Sequence, residues 1–297
     1  MSVSVKDLLS EHLKDRYVIH EELGRGSMGV VYLASDERLG RQVAIKTLNP
    51  QPLKDPKERD EMVFRFQREA KALARISHKN LVTVFEAGVL PDQQHYMVME
   101  HVSGSPLSRF VSVRQKLSVA LVASIGLQVC AALQRIHQEG IIHRDVKPSN
   151  MILSEQGVVK LTDFGVACFL NSLEPRLTQQ GDLMGSLLYC APEQIHNAMT
   201  VDARTDIYAL GVSLYELVCH TSPYQGKHVT QLTLEIASPL AVRDIRPNMT
   251  ALPDSLAEII EKAMAKSPAD RFQTAEEMGQ VLEAFIRLHL SQKKIVS

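Results

Sequence analysis

A chain of 297 residues with 45% hydrophobic content is long enough to bury one large core or two smaller ones. Its 33 lysine and arginine residues nearly balance its 34 aspartate and glutamate residues, so the formal net charge is −1 at pH 7. This balance excludes a general basic field of the kind that recruits nucleic acid or acidic membranes, so no nucleic-acid partner is expected. The four cysteines are widely spaced and form no CxxC pair, which favours reduced thiols over zinc or a redox dithiol.

Two segments bear on export and membranes. The N-terminal residues carry charges such as Lys6, Glu11 and Lys14, and they lack the unbroken apolar core of a signal peptide. The stretch from Leu117 to Leu133 is uncharged and approaches the length of a membrane span. It contains polar residues and continues into charged residues with helical spacing, so we expect a buried core helix and no membrane span within these residues.

In chain order, residues 1–16 predict a short amphipathic helix with three leucines on one side. Residues 17–48 show a β pattern with glycine punctuation, and residues 49–60 predict an exposed loop before a helix. Two further strands are expected near Leu81–Ala87 and Tyr96–Met99, and the remainder is mainly helical. The pattern predicts an α+β fold with a small β-rich lobe, a boundary near Val102 to Pro106, and a larger helical lobe.

The glycine cluster Gly24-Arg25-Gly26-Ser27-Met28-Gly29 fits G-x-G-x-x-G, in which backbone N–H groups approach phosphate oxygens. In a dinucleotide-binding fold such glycines open a helix, but here the strand-like Val30-Val31-Tyr32 follows. A glycine-rich hairpin over a nucleotide is therefore the favoured interpretation, and a loop without a ligand is the alternative.

The segment Val43-Ala44-Ile45-Lys46 places a lysine on a strand next to that hairpin. An ammonium held by a carboxylate can grip the α- and β-phosphates of a nucleotide. Glu69 is the favoured partner because Leu73 lies four residues later on the same helix, while Glu58 and Glu61 are rivals.

The strongest motif is the run from His143 to Asn150, sequence HRDVKPSN, which is followed by Asp163-Phe164-Gly165 and Ala191-Pro192-Glu193. Together with the glycine cluster and the lysine strand, these segments resemble the signature set of the protein kinases in order and spacing. The resemblance is greatest to the bacterial Hanks-type serine/threonine kinases. It implies a bilobal kinase domain over residues 17–290, with an N-lobe at 17–102 and a C-lobe at 106–290. Residues 1–16 would then be a helical extension and residues 291–297 a tail.

The resemblance implies a role for each motif residue in phosphoryl transfer from ATP. Asp145 would orient the substrate hydroxyl and accept its proton, and Lys147 would lie near the γ-phosphate, which favours serine and threonine as acceptors. Asn150 and Asp163 would be the Mg²⁺ ligands, because hard cations prefer oxygen donors. Lys46 and Glu69 would complete the catalytic set.

The same resemblance implies the position of the nucleotide. Apolar side chains would enclose the adenine, and Glu100 and Val102 would offer backbone hydrogen bonds. The expected ATP-binding residues are Leu23, Gly24, Arg25, Gly26, Ser27, Met28, Gly29, Val31, Ala44, Lys46, Met99, Glu100, Val102 and Ile152. For each apolar member, ordinary core packing is the competing explanation.

Control is expected in the segment between Gly165 and Ala191. Arg144 precedes the catalytic aspartate, which in the family implies a phosphate on this segment, and Thr178 is our choice for its position. Cys168 replaces a basic residue of many relatives, and Asp182 could itself face Arg144. Ser186 is expected to be architectural.

Three classes of function remain open: an active protein kinase, a pseudokinase or ATP-binding scaffold, and a small-molecule phosphotransferase. Every phosphate- and metal-handling motif residue is present, which favours the first. The expected partners are proteins with Ser/Thr acceptors, and a homodimer for trans-autophosphorylation is compatible with them. The expected location is the cytoplasm, either alone or as the kinase domain of a larger protein.

Overall fold

The computed structural model describes residues 4–26, 29–48, 63–64, 74–91, 93–163, 185–196, 201–238 and 252–295. The chain divides into two compact units, and the main division falls between Ser103 and Gly104. The short segment Lys79–Leu81 belongs to the second unit, although the first unit flanks it on both sides.

The first unit contains a helix and a five-stranded antiparallel sheet. Helix α1 spans Val5–Leu13 and begins at Ser4, whose hydroxyl accepts a hydrogen bond from the Asp7 backbone N–H at 3.1 Å. The strand order is β1-β2-β3-β5-β4. The strands are β1 Tyr17–Gly26, β2 Gly29–Asp36, β3 Arg41–Leu48, β4 Val84–Val89 and β5 His95–Glu100.

Strand alternation gives this sheet two apolar faces. One face forms a buried cluster with residues such as Tyr32, Val43 and Ile45, and α1 covers it with Leu9 and Leu13. The leucines predicted to share one side of an N-terminal helix therefore pack on the sheet. The other face carries a smaller cluster of Ala44, Val82 and Met99, with Val31 and Val102 packed against it.

The second unit contains a three-stranded sheet and most of the helices. Strands β6 Gly104–Pro106, β7 Met151–Ser154 and β8 Val159–Leu161 pair in that order. The helices are α2 Leu107–Ser112, α3 Val119–His137, α4 Pro192–His196, α5 Arg204–Cys219, α6 Val229–Ala237, α7 Asp254–Ala263 and α8 Ala275–Ile295.

Helix α3 is the apolar segment singled out in the sequence. Among the described residues it is the one helix whose length and composition would allow a membrane crossing, and half of its apolar window is buried in the protein. Its buried side packs against α5 and α8, and Gly126 approaches Leu214 and Leu282 so closely that an added Cβ would lie about 3 Å from each. This is the packing of a core helix.

The segment Lys79–Leu81 departs from the sequence prediction. A strand was expected from Leu81, but β4 begins at Val84. Leu81 instead forms a parallel bridge with Leu161, and the Leu161 N–H donates to the Asn80 carbonyl at 2.9 Å. The Asn80 amide nitrogen donates to the Val159 carbonyl at 2.8 Å and to the Gln128 side chain at 2.9 Å. These bonds draw the segment into the second unit.

Candidate active site

The glycine-rich hairpin forms at the end of the first unit's sheet. Strands β1 and β2 pair Gly24 with Val31 and Gly26 with Gly29, as the hairpin prediction requires. A Cβ built on Gly24 or Gly26 would meet no atom within 4 Å, so both glycines face open space. That openness leaves the backbone accessible to a ligand. Arg25 forms a bidentate ion pair with Glu22 beside the hairpin, and Ser27 and Met28 lie outside the described residues.

Lys46 lies on β3 directly opposite Val31 of β2 and Met97 of β5. Alternation along β3 puts Ala44 and Lys46 on the same face, which is the face of the Ala44, Val82 and Met99 cluster. An apolar wall and a lysine therefore share one side of the sheet. Glu69 and its rivals Glu58 and Glu61 lie outside the described residues.

The last residues of β5 refine one expectation. The Glu100 backbone N–H donates to the Thr83 carbonyl at 2.8 Å, and the Glu100 carboxylate accepts from the Thr83 N–H at 3.2 Å. The Glu100 N–H is therefore bound to Thr83, just before β4, and the backbone hydrogen bond expected between Glu100 and a nucleotide stays a prediction. Val102 is half-buried beside the cluster, Leu23 is 45% exposed on β1, and Ile152 is half-buried on β7 of the other unit.

In the second unit, two motif residues, Lys147 and Asn150, contact Asp145. The Lys147 ammonium lies 2.8 Å from the Asp145 carboxylate and donates to the Ser186 hydroxyl at 2.8 Å. The Asn150 amide nitrogen donates to the Asp145 carbonyl at 2.8 Å and to its carboxylate at 2.9 Å. The carboxylate is thus held by an ammonium and an amide, which fix its orientation.

Backbone pairing brings the two candidate metal ligands side by side. Asn150 directly precedes β7, and Asp163 follows β8 by two residues. The Thr162 N–H donates to the Asn150 carbonyl at 2.9 Å, so the ends of the two strands adjoin. Because the Asn150 nitrogen is bound to Asp145, the end that can face a cation is its amide oxygen, which also accepts from the Ser149 hydroxyl at 3.4 Å. No cluster of three or more His, Cys, Asp or Glu side chains suited to a metal occurs among the residues that the structure describes.

The backbone of His143 and Arg144, directly before Asp145, is hydrogen-bonded to Asp206 near the start of α5. Its fully buried carboxylate accepts from the His143 N–H and the Arg144 N–H at 2.8 Å each, and from the His137 ring at 2.8 Å. Arg144 has φ 65° and Asp163 has φ 54°, so both adopt a left-handed backbone that non-glycine residues rarely enter. The bonds from Asp206 therefore stabilise the strained backbone at Arg144, directly before Asp145.

His143 has a structural role here. Its Nδ1 accepts from the Asp145 N–H at 3.3 Å and its Nε2 donates to the Thr162 carbonyl at 3.1 Å. Desolvation lowers the pKa of this buried ring, although nearby carboxylates oppose the effect. The ring is therefore neutral, and it joins the catalytic loop to the end of β8.

Two further side-chain pairs lie in the second unit. Arg271 is buried and grips Glu193 with two bonds of 2.7 and 2.8 Å. The Tyr189 hydroxyl donates to the Glu216 carboxylate, and burial raises the pKa of both groups. Sequence reasoning missed Glu216 and His137, since neither lies in a motif. Phe164, Gly165, Cys168, Thr178 and Asp182 lie outside the described residues.

Comparisons with known proteins find matches over most of this chain. A family model described as "Protein kinase domain" matches residues 17–282. The serine/threonine-protein kinase PknB of Mycolicibacterium smegmatis is 37% identical over 95% of this chain and 44% of its own length. The serine/threonine-protein kinase PrkC of Bacillus subtilis is 34% identical over 97% of this chain and 43% of its own length. The chain thus spans about two fifths of the length of these relatives.

Solved structures give the same fold. The crystal structure of the PknI kinase domain of Mycobacterium tuberculosis superposes with a TM-score of 0.69 at 30% identity, covering 90% of this chain and 94% of that domain. A cysteine-to-alanine variant of the PknI domain gives a TM-score of 0.67 at 29% identity, with the same coverage. The predicted bilobal α+β fold is confirmed by these matches.

Proposed function

Because this chain belongs to the protein kinase family, we propose that it is an active kinase that transfers the γ-phosphoryl group of Mg-ATP to serine and threonine hydroxyls of proteins, itself included. The observation that carries the proposal is the arrangement around Asp145, whose carboxylate is bound by both Lys147 and Asn150. A pseudokinase that had lost catalysis would have no need of this set.

Each member of that arrangement has a task in phosphoryl transfer. Asp145 accepts the proton of the acceptor hydroxyl and aligns it for attack. Lys147 neutralises charge that develops on the transferred group, and Ser186 keeps the ammonium beside Asp145. Lys46 and the backbone of the glycine-rich hairpin, both in the first unit, bind the phosphates of ATP.

The chemistry of the donor set fits Mg²⁺. Asn150 presents an amide oxygen because its nitrogen is committed to Asp145, and Asp163 presents a carboxylate at the end of the adjoining strand. Hard oxygen donors of this kind, together with nucleotide phosphates, suit a cation that keeps several waters. Bound Mg²⁺ would neutralise phosphate charge, and these two residues would hold it.

The test compares Asp145→Asn with the matched control Glu155→Gln, which changes an exposed carboxylate in the same unit. With ATP and Mg²⁺ present, we expect Asp145→Asn to lower transfer to a protein substrate by about 10²- to 10⁴-fold. ATP binding should stay near the wild-type level, because the residue handles the acceptor. Glu155→Gln should behave as wild type, and EDTA should stop transfer in every variant.

Two outcomes would count against the proposal. Transfer by Asp145→Asn above one hundredth of the wild-type rate would contradict the assigned role. A wild-type chain that binds ATP without transferring it to any protein would favour the scaffold alternative.

Partners and location follow from the same proposal. The acceptors would be proteins, and trans-autophosphorylation would need a transient homodimer. The chain spans about two fifths of its relatives' length. We propose that it acts in the cytoplasm as a kinase domain, alone or in a larger protein.

A further inference from the structure

The hairpin root, which we define as Gly29 and Val30, lies against Thr47 of β3. Thr47 is 1% exposed and Val30 is 6% exposed, so their polar groups are shielded from water. Thr47 directly follows Lys46, and strand alternation turns it to the face opposite the lysine. A contact at Thr47 therefore acts on the glycine-rich hairpin without touching a nucleotide.

The side-chain hydroxyl of Thr47 takes the place of a backbone pairing between β2 and β3. The β2–β3 register pairs Tyr32 with Ile45 and Val31 with Lys46, and the pairing ends there. At the next position the Thr47 hydroxyl accepts from the Val30 N–H at 3.2 Å and donates to the Val30 carbonyl at 3.1 Å. A hydroxyl can do both at once, and a valine of the same shape can do neither.

Gly29 passes so close to β3 that a side chain cannot fit. A Cβ on Gly29 would lie 1.7 Å from the Thr47 carbonyl oxygen, and the φ of Gly29 is +156°. In contrast, a Cβ added to Gly24 or Gly26 would meet no atom within 4 Å. The third glycine of the cluster therefore serves this contact with β3, while the first two leave room for a ligand.

We propose that Thr47 is a positioning residue that fixes the return strand of the glycine-rich hairpin relative to Lys46. The inference rests on the proposed function, since it concerns how ATP phosphates are held. The hairpin backbone and the Lys46 ammonium bind one ligand together, so their spacing must be set before the ligand arrives. A preformed spacing lowers the entropy lost on binding, and the Thr47 hydroxyl supplies it with two bonds.

The test compares Thr47→Val, which removes only the hydroxyl, with Thr47→Ser, which keeps it. Thr233→Val is the matched control, because it removes a threonine bond to the Val229 carbonyl on α6, away from the hairpin. We expect Thr47→Val to raise both the KM for ATP and the calorimetric Kd of Mg-ATP by about three- to tenfold, with kcat within about twofold of wild type. Thr47→Ser and Thr233→Val should match wild type.

A readout without nucleotide separates positioning from general stability. Hydrogen exchange in a peptide covering residues 29–33 should speed up in Thr47→Val and stay slow in Thr47→Ser. If Thr47→Val does not fold, Thr47→Ala against Thr47→Ser gives the same contrast, since both lack the methyl group.

The proposed kinase function and the proposed role of Thr47 can fail separately. If the wild-type chain neither binds nor uses ATP, the proposed function fails. If wild type is active and Thr47→Val shows wild-type KM, Kd and exchange, or loses only thermal stability, the assignment of Thr47 is overturned.

Discussion

At the scale of single residues, the position of Lys147 depends on Ser186. The ammonium is held between the Asp145 carboxylate and the Ser186 hydroxyl, each 2.8 Å away. Ser186→Ala removes one of these anchors, so we expect kcat to fall by about three- to tenfold with little change in the KM for ATP. Ser186→Thr keeps the hydroxyl and should stay near wild type. Equal rates for the alanine variant and wild type would show that Asp145 alone positions the lysine.

Asp206 gives a second prediction at this scale. Its buried carboxylate accepts three bonds, from His137, His143 and Arg144. In Asp206→Asn one carboxylate oxygen becomes an amide nitrogen that cannot accept, so a buried N–H loses its acceptor and we expect the free energy of unfolding to fall by about 1–3 kcal/mol. Urea unfolding measures this. The exposed Asp270→Asn should change it by less than about 0.5 kcal/mol. A similar small change in Asp206→Asn would mean that the strained turn needs no such support.

At the scale of elements, the pair of Glu193 on α4 with Arg271 ties two distant chain segments together. Burial raises the pKa of Glu193, but the hydrogen bonds and charge of Arg271 outweigh it, so the net pKa is lowered. A carboxyl with a lowered folded pKa stabilises the protein above its unfolded pKa of about 4.5 and loses that contribution as the pH falls.

Glu193→Gln removes this titration. At pH 7 we expect the variant to be less stable than wild type by about 3–5 kcal/mol, because Arg271 is left buried without its partner charge. The difference in stability between wild type and Glu193→Gln should narrow as the pH falls below about 4.5. Unfolding curves at several pH values measure the gap. A gap that stays constant with pH would show that Glu193 does not titrate with folding.

The elements also show where sequence reasoning stops. The glycine-rich hairpin, the strand of Lys46 and the helix at Leu117–Leu133 were predictable, because alternation, helical spacing and glycine punctuation are local patterns. The predicted start of the strand at Leu81 was wrong, because β4 begins at Val84. An apolar run does not reveal that Leu81 pairs with Leu161. His137 and Glu216 were missed because their roles come from partners 69 and 27 residues away.

At the scale of the whole molecule, control by phosphorylation remains a prediction from the sequence. Arg144 calls for an anionic partner, and Thr178 and Asp182 are its two candidates. We expect Thr178→Ala to lower activity several-fold, and Thr178→Ala with Asp182→Asn to lower it much further. The rates on one peptide substrate decide this. Equal rates for the single and double variants would show that Asp182 is only a solvated charge. A Thr178→Ala variant without activity would show that the phosphate is indispensable.

The membership of Lys79–Leu81 in the second unit has a consequence for synthesis on the ribosome. Asn80 and Leu81 emerge early, but their partners Val159 and Leu161 follow about 80 residues later. At ribosomal rates this delay is roughly 4 to 16 seconds, during which the Asn80 amide must be hydrated by solvent. The segment Lys79–Leu81 is therefore made before the rest of the unit to which it belongs. If the chain were cut between Ser103 and Gly104, the later fragment would lack Lys79–Leu81. The second unit therefore needs a segment that is translated as part of the first half of the chain.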